Sequence, residues 1–309
     1  MSLLRVGDHA LEIRIAESAP RCLRRFVARL ADTELPTMPA GQVMQVRDGH
    51  RTRLTVDVSR GEVLLELAAE LAGDPPTLEI GVLQAAARSL AVMGDGELTL
   101  LHGSAVTIDG GRSAIAVLDG GRGQGKTSLA LGVAAHGGSL LVDEFAFTAF
   151  PCRQPCVVPM PTLPWHVRAD MAPLLAPHAT ERLLYPVDLP TPTTAGHRPL
   201  PLSLIVIPDQ GLAAGELRET PTPAARDLLR AAVTDHEAKL RDPTLDHVSI
   251  FSSADEVTIS RSLPAFNFGE MALDALAAVP VIRVGVGIGK PDDLPTSVAA
   301  VIRRTRGDS

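Results

Sequence analysis

The chain has 309 residues, 45% hydrophobic and 21% charged, with a formal net charge of −7. This balance suits one large domain or a core with an accessory domain, and it excludes wholesale disorder. An acidic chain repels phosphodiester backbones, so DNA and RNA are excluded as expected partners.

Residues 1–84 read as a small mixed α+β module. Leu11–Ala16 alternates like a strand, and Pro20–Leu30 has helical spacing with arginines on one side. Arg53–Val58 and Val63–Ala68 alternate around Ser59-Arg60-Gly61, which predicts a hairpin. Asp74-Pro75-Pro76 is a chain break, and Leu78–Met93 is an apolar helix stopped by Gly94-Asp95-Gly96.

Residues 85–309 read as the main domain. Leu98–Ile108 is expected as one strand, followed by an Asp109-Gly110-Gly111 turn and a buried strand at Ser113–Leu118. Helix formers at Ser128–Ala135 end at His136-Gly137-Gly138, and a short apolar strand, Ser139–Val142, closes on Asp143-Glu144. Residues 151–208 hold thirteen of the 25 prolines, too many for a helix or central strand, so an ordered loop or lid is expected at about 151–200. Leu202–Ile207 and Val281–Val286 read as strands. Thr222–Ala232, Met271–Ala278 and Ser297–Arg304 read as helices.

The segment between strand and helix carries the chemistry. Gly120-Gly121-Arg122-Gly123-Gln124-Gly125-Lys126-Thr127, followed by Ser128, satisfies the phosphate-loop spacing G-x-x-x-x-G-K-[ST]. Glycines permit φ > 0, so successive N–H groups converge on phosphate oxygens, and the following helix adds its positive end. The spacing assigns Lys126 to the β/γ-phosphates and the Thr127 hydroxyl to Mg²⁺, which makes ATP and Mg²⁺ the expected ligands. Lys126 is one of only three lysines, with Lys239 and Lys290. The superficially similar Gly285–Lys290 has the wrong glycine spacing and reads as a plain loop.

Other residues fit around this loop. Carboxylates at a strand end one helix after it, Asp143 and Glu144, are placed to hold Mg²⁺ or take a proton. His102, on the strand before, reads as structural from its residues alone. Trp165, with His166 and Arg168, is a candidate lining for an acceptor pocket, an anchor for the lid being the other reading.

Cys22, Cys152 and Cys156 are too few and odd in number for a disulfide framework, and no second Cys/His pair at finger spacing follows the last two. With no early apolar export segment and no run of about 20 apolar residues, a cytoplasmic protein without a membrane span is expected.

Leu101-His102-Gly103-Ser104-Ala105-Val106, the Asp-Gly-Gly turn, the phosphate loop and Val142-Asp143-Glu144 occur in an order that resembles HPr kinase/phosphorylase-like proteins. Pro159-Met160-Pro161, Pro201–Ile207 and Leu263-Pro264-Ala265-Phe266 extend the resemblance over roughly residues 85–280. It implies an α/β core of the phosphoenolpyruvate carboxykinase-type P-loop fold, a mixed sheet with hairpins. It also implies that His102 stands near the transferred phosphate, with Asp143 as base and Glu144 on the metal side.

Three features depart from that family. Asp-Glu replaces Asp-Asp, Thr127 stands where serine is common, and the glycine-rich signature for the protein substrate is not recognisable. The expected activity is therefore ATP-dependent phosphorylation of a small metabolite hydroxyl (nucleoside, sugar or amino acid), with serine phosphorylation of a peptide or carrier protein next. A regulatory ATPase and a carboxykinase are further alternatives, and a homo-oligomer is the expected assembly.

Overall fold

Two periodicities, alternation in strands and 3.6-residue spacing in helices, divide the chain into seventeen strands and six helices among the described residues. The computed structural model describes residues 2–6, 9–30, 41–94, 98–118, 125–144, 146–149, 154–160, 165–166, 183–184, 198–245, 250–251, 255–260, 270–286 and 293–307. Through residue 93 the order is β1 (Ser2–Val6), β2 (His9–Ile15), α1 (Arg21–Leu30), β3 (Gln42–Gly49), β4 (Arg53–Asp57), β5 (Glu62–Ala68) and α2 (Pro75–Met93). Then come β6 (Leu98–Leu101), β7 (Gly103–Ile108), β8 (Ser113–Leu118), α3 (Lys126–Ala134), β9 (Leu140–Val142), β10 (Ala146–Ala149), β11 (Cys156–Val157), β12 (Trp165–His166) and β13 (Leu183–Leu184). The last part holds β14 (Leu200–Asp209), β15 (Leu217–Glu219), α4 (Thr222–Arg241), β16 (Glu256–Ile259), α5 (Glu270–Ala277), β17 (Val281–Gly285) and α6 (Leu294–Arg306). The architecture is mixed α/β.

The chain forms two compact units, each assembled from separate stretches. One comprises Met1–Thr99 and Thr234–Asn267, the other Leu100–Val233 and Phe268–Ser309. Position 84/85, the boundary read from sequence, falls inside α2. The proline pair opens that helix rather than merely breaking the chain. Asp74 caps it, its carboxylate accepting from Thr77 Oγ1 (2.7 Å), and Pro75 takes the first turn, where a missing N–H costs nothing.

The first unit is built on a six-stranded sheet in the order β1-β2-β3-β5-β4-β16. The β4–β5 pair is the expected antiparallel hairpin, while β2/β3, β3/β5 and β4/β16 are parallel. Alternate residues such as Leu11, Ile13, Met44, Val46, Val63 and Leu65 are buried.

The second unit is built on a larger sheet with the path β6-β10-β11-β14-β8-β7-β9, with β17 paired to β14 and β15 paired in turn to β17. At its centre β8, β14 and β17 run parallel. Their near-continuous apolar stretches, Ala114–Leu118, Leu204–Ile207 and Val281–Val284, suit strands covered on both faces, apart from the half-buried Arg283. The antiparallel β7 lies between β8 and β9. The single strand expected over Leu98–Ile108 is two, interrupted by a bend at His102. The helix beginning at Thr222 runs on to Arg241, past its expected end. Within the proline-rich stretch the described residues form the short strands β11, β12 and β13 before β14 begins. Among the described residues no helix is long and apolar enough to cross a membrane.

Candidate active site

The site grows from the end of β8, the start of α3 and the end of β9. Gly125 is left-handed (φ 86°, ψ 19°) and directly precedes Lys126, the first residue of α3. Only a glycine takes that conformation without strain, and it turns the chain from strand into helix. Among the described residues nothing lies within 4 Å of where a Gly125 Cβ would stand. Gly120, Gly121, Arg122, Gly123 and Gln124 lie outside the described residues.

Strand register brings the remaining groups to this helix start. Ala105 pairs with Val142, and one step further along the antiparallel pair stand Ser104 and Asp143. Asp143 is buried, 1% exposed. Its carboxylate accepts from the Ser104 hydroxyl and from Thr127 Oγ1, the latter at 3.1 Å to Oδ1 and 3.4 Å to Oδ2. Glu144 turns the other way. Its Oε1 lies 3.3 Å from Lys126 Nζ, and its Oε2 lies 3.3 Å from His102 Nε2. Glu144 is the one non-glycine among the described residues with a positive φ, 65°. A left-handed residue with a Cβ is uncommon, and such strain concentrates where side-chain placement matters.

Four groups named from sequence, His102, Lys126, Thr127 and the Asp143-Glu144 pair, thus meet in one centre. Ser128 is buried in the first turn of α3. Ser104 was not singled out as a site residue from sequence. The available signal was a hydroxyl on the strand face that carries core residue Val106, two residues before it.

The acceptor-side candidates are placed differently. Trp165 is 1% exposed and belongs to the core cluster with Val106, Leu129 and Val206, so it packs the sheet rather than facing an open pocket. The side chain of His166, and all of Arg168, lie outside the described residues.

Among the described residues no group of three or more His, Cys, Asp and Glu is arranged as a metal cage. Mg²⁺ carried by phosphates needs none, since it keeps several waters and takes one or two protein oxygens. The residues present fit that demand. Thr127 and Asp143 are hard oxygen donors in mutual contact beside the helix start, and the Glu144 carboxylate stands against Lys126. No protein-family model matches the chain, and no curated protein matches it.

Proposed function

We propose that the chain is an ATP-dependent phosphotransferase that moves the γ-phosphoryl group of a magnesium-bound nucleotide to a hydroxyl of a small metabolite. One observation carries the reading: the phosphate-loop spacing ends on a left-handed glycine at a helix start, where Lys126 and Thr127 meet the Asp143-Glu144 pair. The resemblance to HPr kinase/phosphorylase-like proteins and the P-loop core it implies support the same reading.

In this mechanism the 120–127 loop amides and the α3 N-terminus hold the β- and γ-phosphates, and Lys126 offsets their charge. Bound Mg²⁺ supplies further neutralisation of the phosphate oxygens. Thr127 and Asp143 serve the cation side, because they touch each other and Asp143 is sealed from solvent. Glu144, its side chain 19% exposed beside His102 and Lys126, orients the acceptor hydroxyl and receives its proton as the acceptor oxygen bonds to the γ-phosphorus, the bond from that phosphorus to the β–γ bridging oxygen breaks and the nucleoside diphosphate leaves. This division reverses the one implied by the resemblance, and the contact geometry favours it.

The burial of Asp143, together with side-chain exposures of 14% at His102 and 9% at Lys126, favours a small acceptor that enters the centre over a peptide lying across a surface. The test is transfer from [γ-³²P]ATP to pools of nucleosides, sugars, amino acids and serine peptides, with wild type and Lys126→Ala. A labelled small molecule that disappears in the variant is expected. Label in peptide alone would select the protein-kinase alternative, and free phosphate alone would select a regulatory ATPase and remove the kinase reading.

A further inference from the structure

Position 104 lies on a sheet face that should be apolar. Residues two apart in a strand share a face, and Val106 belongs to the core cluster with Ile115, Val117 and Leu129. Ser104 is nevertheless a serine, 0% exposed. A buried hydroxyl is costly unless bonded, and an alanine would fill the same place in the strand without that liability. The Ser104 hydroxyl donates to Asp143 Oδ1, the same oxygen that lies 3.1 Å from Thr127 Oγ1. Two hydroxyls, one from a strand and one from the phosphate-loop helix, therefore hold one buried carboxylate.

We propose that Ser104 is a positioning residue that clamps Asp143 against Thr127 and so shapes the cation side of the nucleotide site. The inference rests on the phosphotransferase reading and deepens it. In this scheme Ser104 supplies no ligand of its own to nucleotide or cation and acts through Asp143. It restricts the Asp143 carboxylate to one orientation, in which that carboxylate accepts the Thr127 O–H and leaves a Thr127 lone pair for the metal. Outer partners of this kind change metal affinity without supplying a ligand. Without the Ser104 bond the Asp143 carboxylate loses one of the contacts that hold it against Thr127.

The experiment titrates Mg²⁺ against binding of a fluorescent ATP analogue (mant-ATP) to the full chain. Ser104→Ala, Ser104→Thr, Asp143→Asn and the double variant Ser104→Ala/Asp143→Asn are compared with wild type. Thermal melts confirm that each is folded. Ser104→Ala is expected to need about 10- to 100-fold more Mg²⁺ for half-maximal binding, with metal-free binding of the analogue unchanged. Ser104→Thr, which keeps the hydroxyl, is expected to restore most of the response. In the Asp143→Asn background, Ser104→Ala is expected to add nothing, because both changes act through one contact.

A Ser104→Ala variant with a wild-type Mg²⁺ response would overturn the proposal and leave the phosphotransferase reading standing. So would full additivity with Asp143→Asn, which would mark Ser104 as acting elsewhere. A wild-type chain that binds no analogue at any Mg²⁺ concentration would instead remove the nucleotide reading, and this inference with it.

Discussion

Glu144 pays a backbone cost to stand where it does. A left-handed conformation costs a residue with a Cβ about 1–2 kcal/mol, whereas glycine adopts it freely. Comparing Glu144→Gly with Glu144→Ala isolates this effect, since both lose the contacts to Lys126 and His102. Urea denaturation should find the glycine variant more stable than the alanine variant by about 1 kcal/mol, the reverse of the usual order. Both should lose phosphoryl transfer, and equal stabilities would show that the backbone there is unstrained. Cysteine reactivity offers a second test at this scale. Burial raises the Cys156 thiol above its ordinary value, so its thiolate is scarce near neutral pH. A thiol reagent at pH 8 should modify the half-buried Cys22 well before Cys156, and equal rates would contradict the burial.

Among the elements, the helix α3 and the β4–β5 hairpin make separable predictions. A Cβ on Gly132 would stand 2.5 Å from Val298 Cγ2 on α6, so this glycine lets the two helices approach. Gly132→Ala must push them apart or rotate Val298, and overpacking of this kind costs about 1–3 kcal/mol, outweighing alanine's better helix propensity. Its melting temperature should fall, and an unchanged value would mean that Val298 yields freely. In the hairpin, Asp57 accepts from Ser59 Oγ at 2.7 Å, from the Ser59 and Arg60 amides, and from Ser260 Oγ at 3.3 Å. The Ser59 hydroxyl foremost, then the Arg60 amide, Ser260 and the Ser59 amide, hold its carboxyl below the ordinary value, against a partial opposing effect of burial. A group depressed on folding stabilises above its unfolded pKa, about 3.9 for aspartate, and that stabilisation disappears as pH falls through the folded value. The melting-temperature difference between wild type and Asp57→Asn should therefore be largest near neutrality and shrink below about pH 4. A constant difference would place the effect elsewhere.

The hairpin and α3 were legible from local pattern because their signals are local: alternation around a glycine turn, and glycine followed by helix formers. The strand β3 was not, since Gln42–Gly49 mixes polar and apolar residues and gains its place through parallel pairing with β2 and β5. The break between β6 and β7 was missed for a related reason. Apolar and β-branched residues flank His102-Gly103 on both sides and read as one run, and the sheet places a bend at His102.

At the scale of the whole molecule, the chain leaves its first unit after Thr99, returns for Thr234–Asn267, and leaves again. The strand Glu256–Ile259 is what the return contributes to that unit's sheet, pairing in parallel with β4. A ligand that binds the native state alone should stabilise the protein by mass action, by about 2.7 kcal/mol at a hundred times its dissociation constant. Magnesium and ATP together should therefore raise the melting temperature of wild type and leave Lys126→Ala nearly unmoved. A rise of equal size in both would mean that binding does not use the phosphate loop.

By itself the sequence determined the chemistry on offer: eight consecutive residues with phosphate-loop spacing, a following helix, and an acidic pair one strand later. Those are contiguous signals, and backbone conformation over a few residues follows from the identity of those residues. Tertiary structure decided the meetings. Ser104 and Asp143 are 39 positions apart and touch only because β7 and β9 pair in one register. The same packing put Trp165 into the core and the two carboxylates to different partners. Such choices depend on which buried surfaces fit together over long separations, and no local pattern of residues records that.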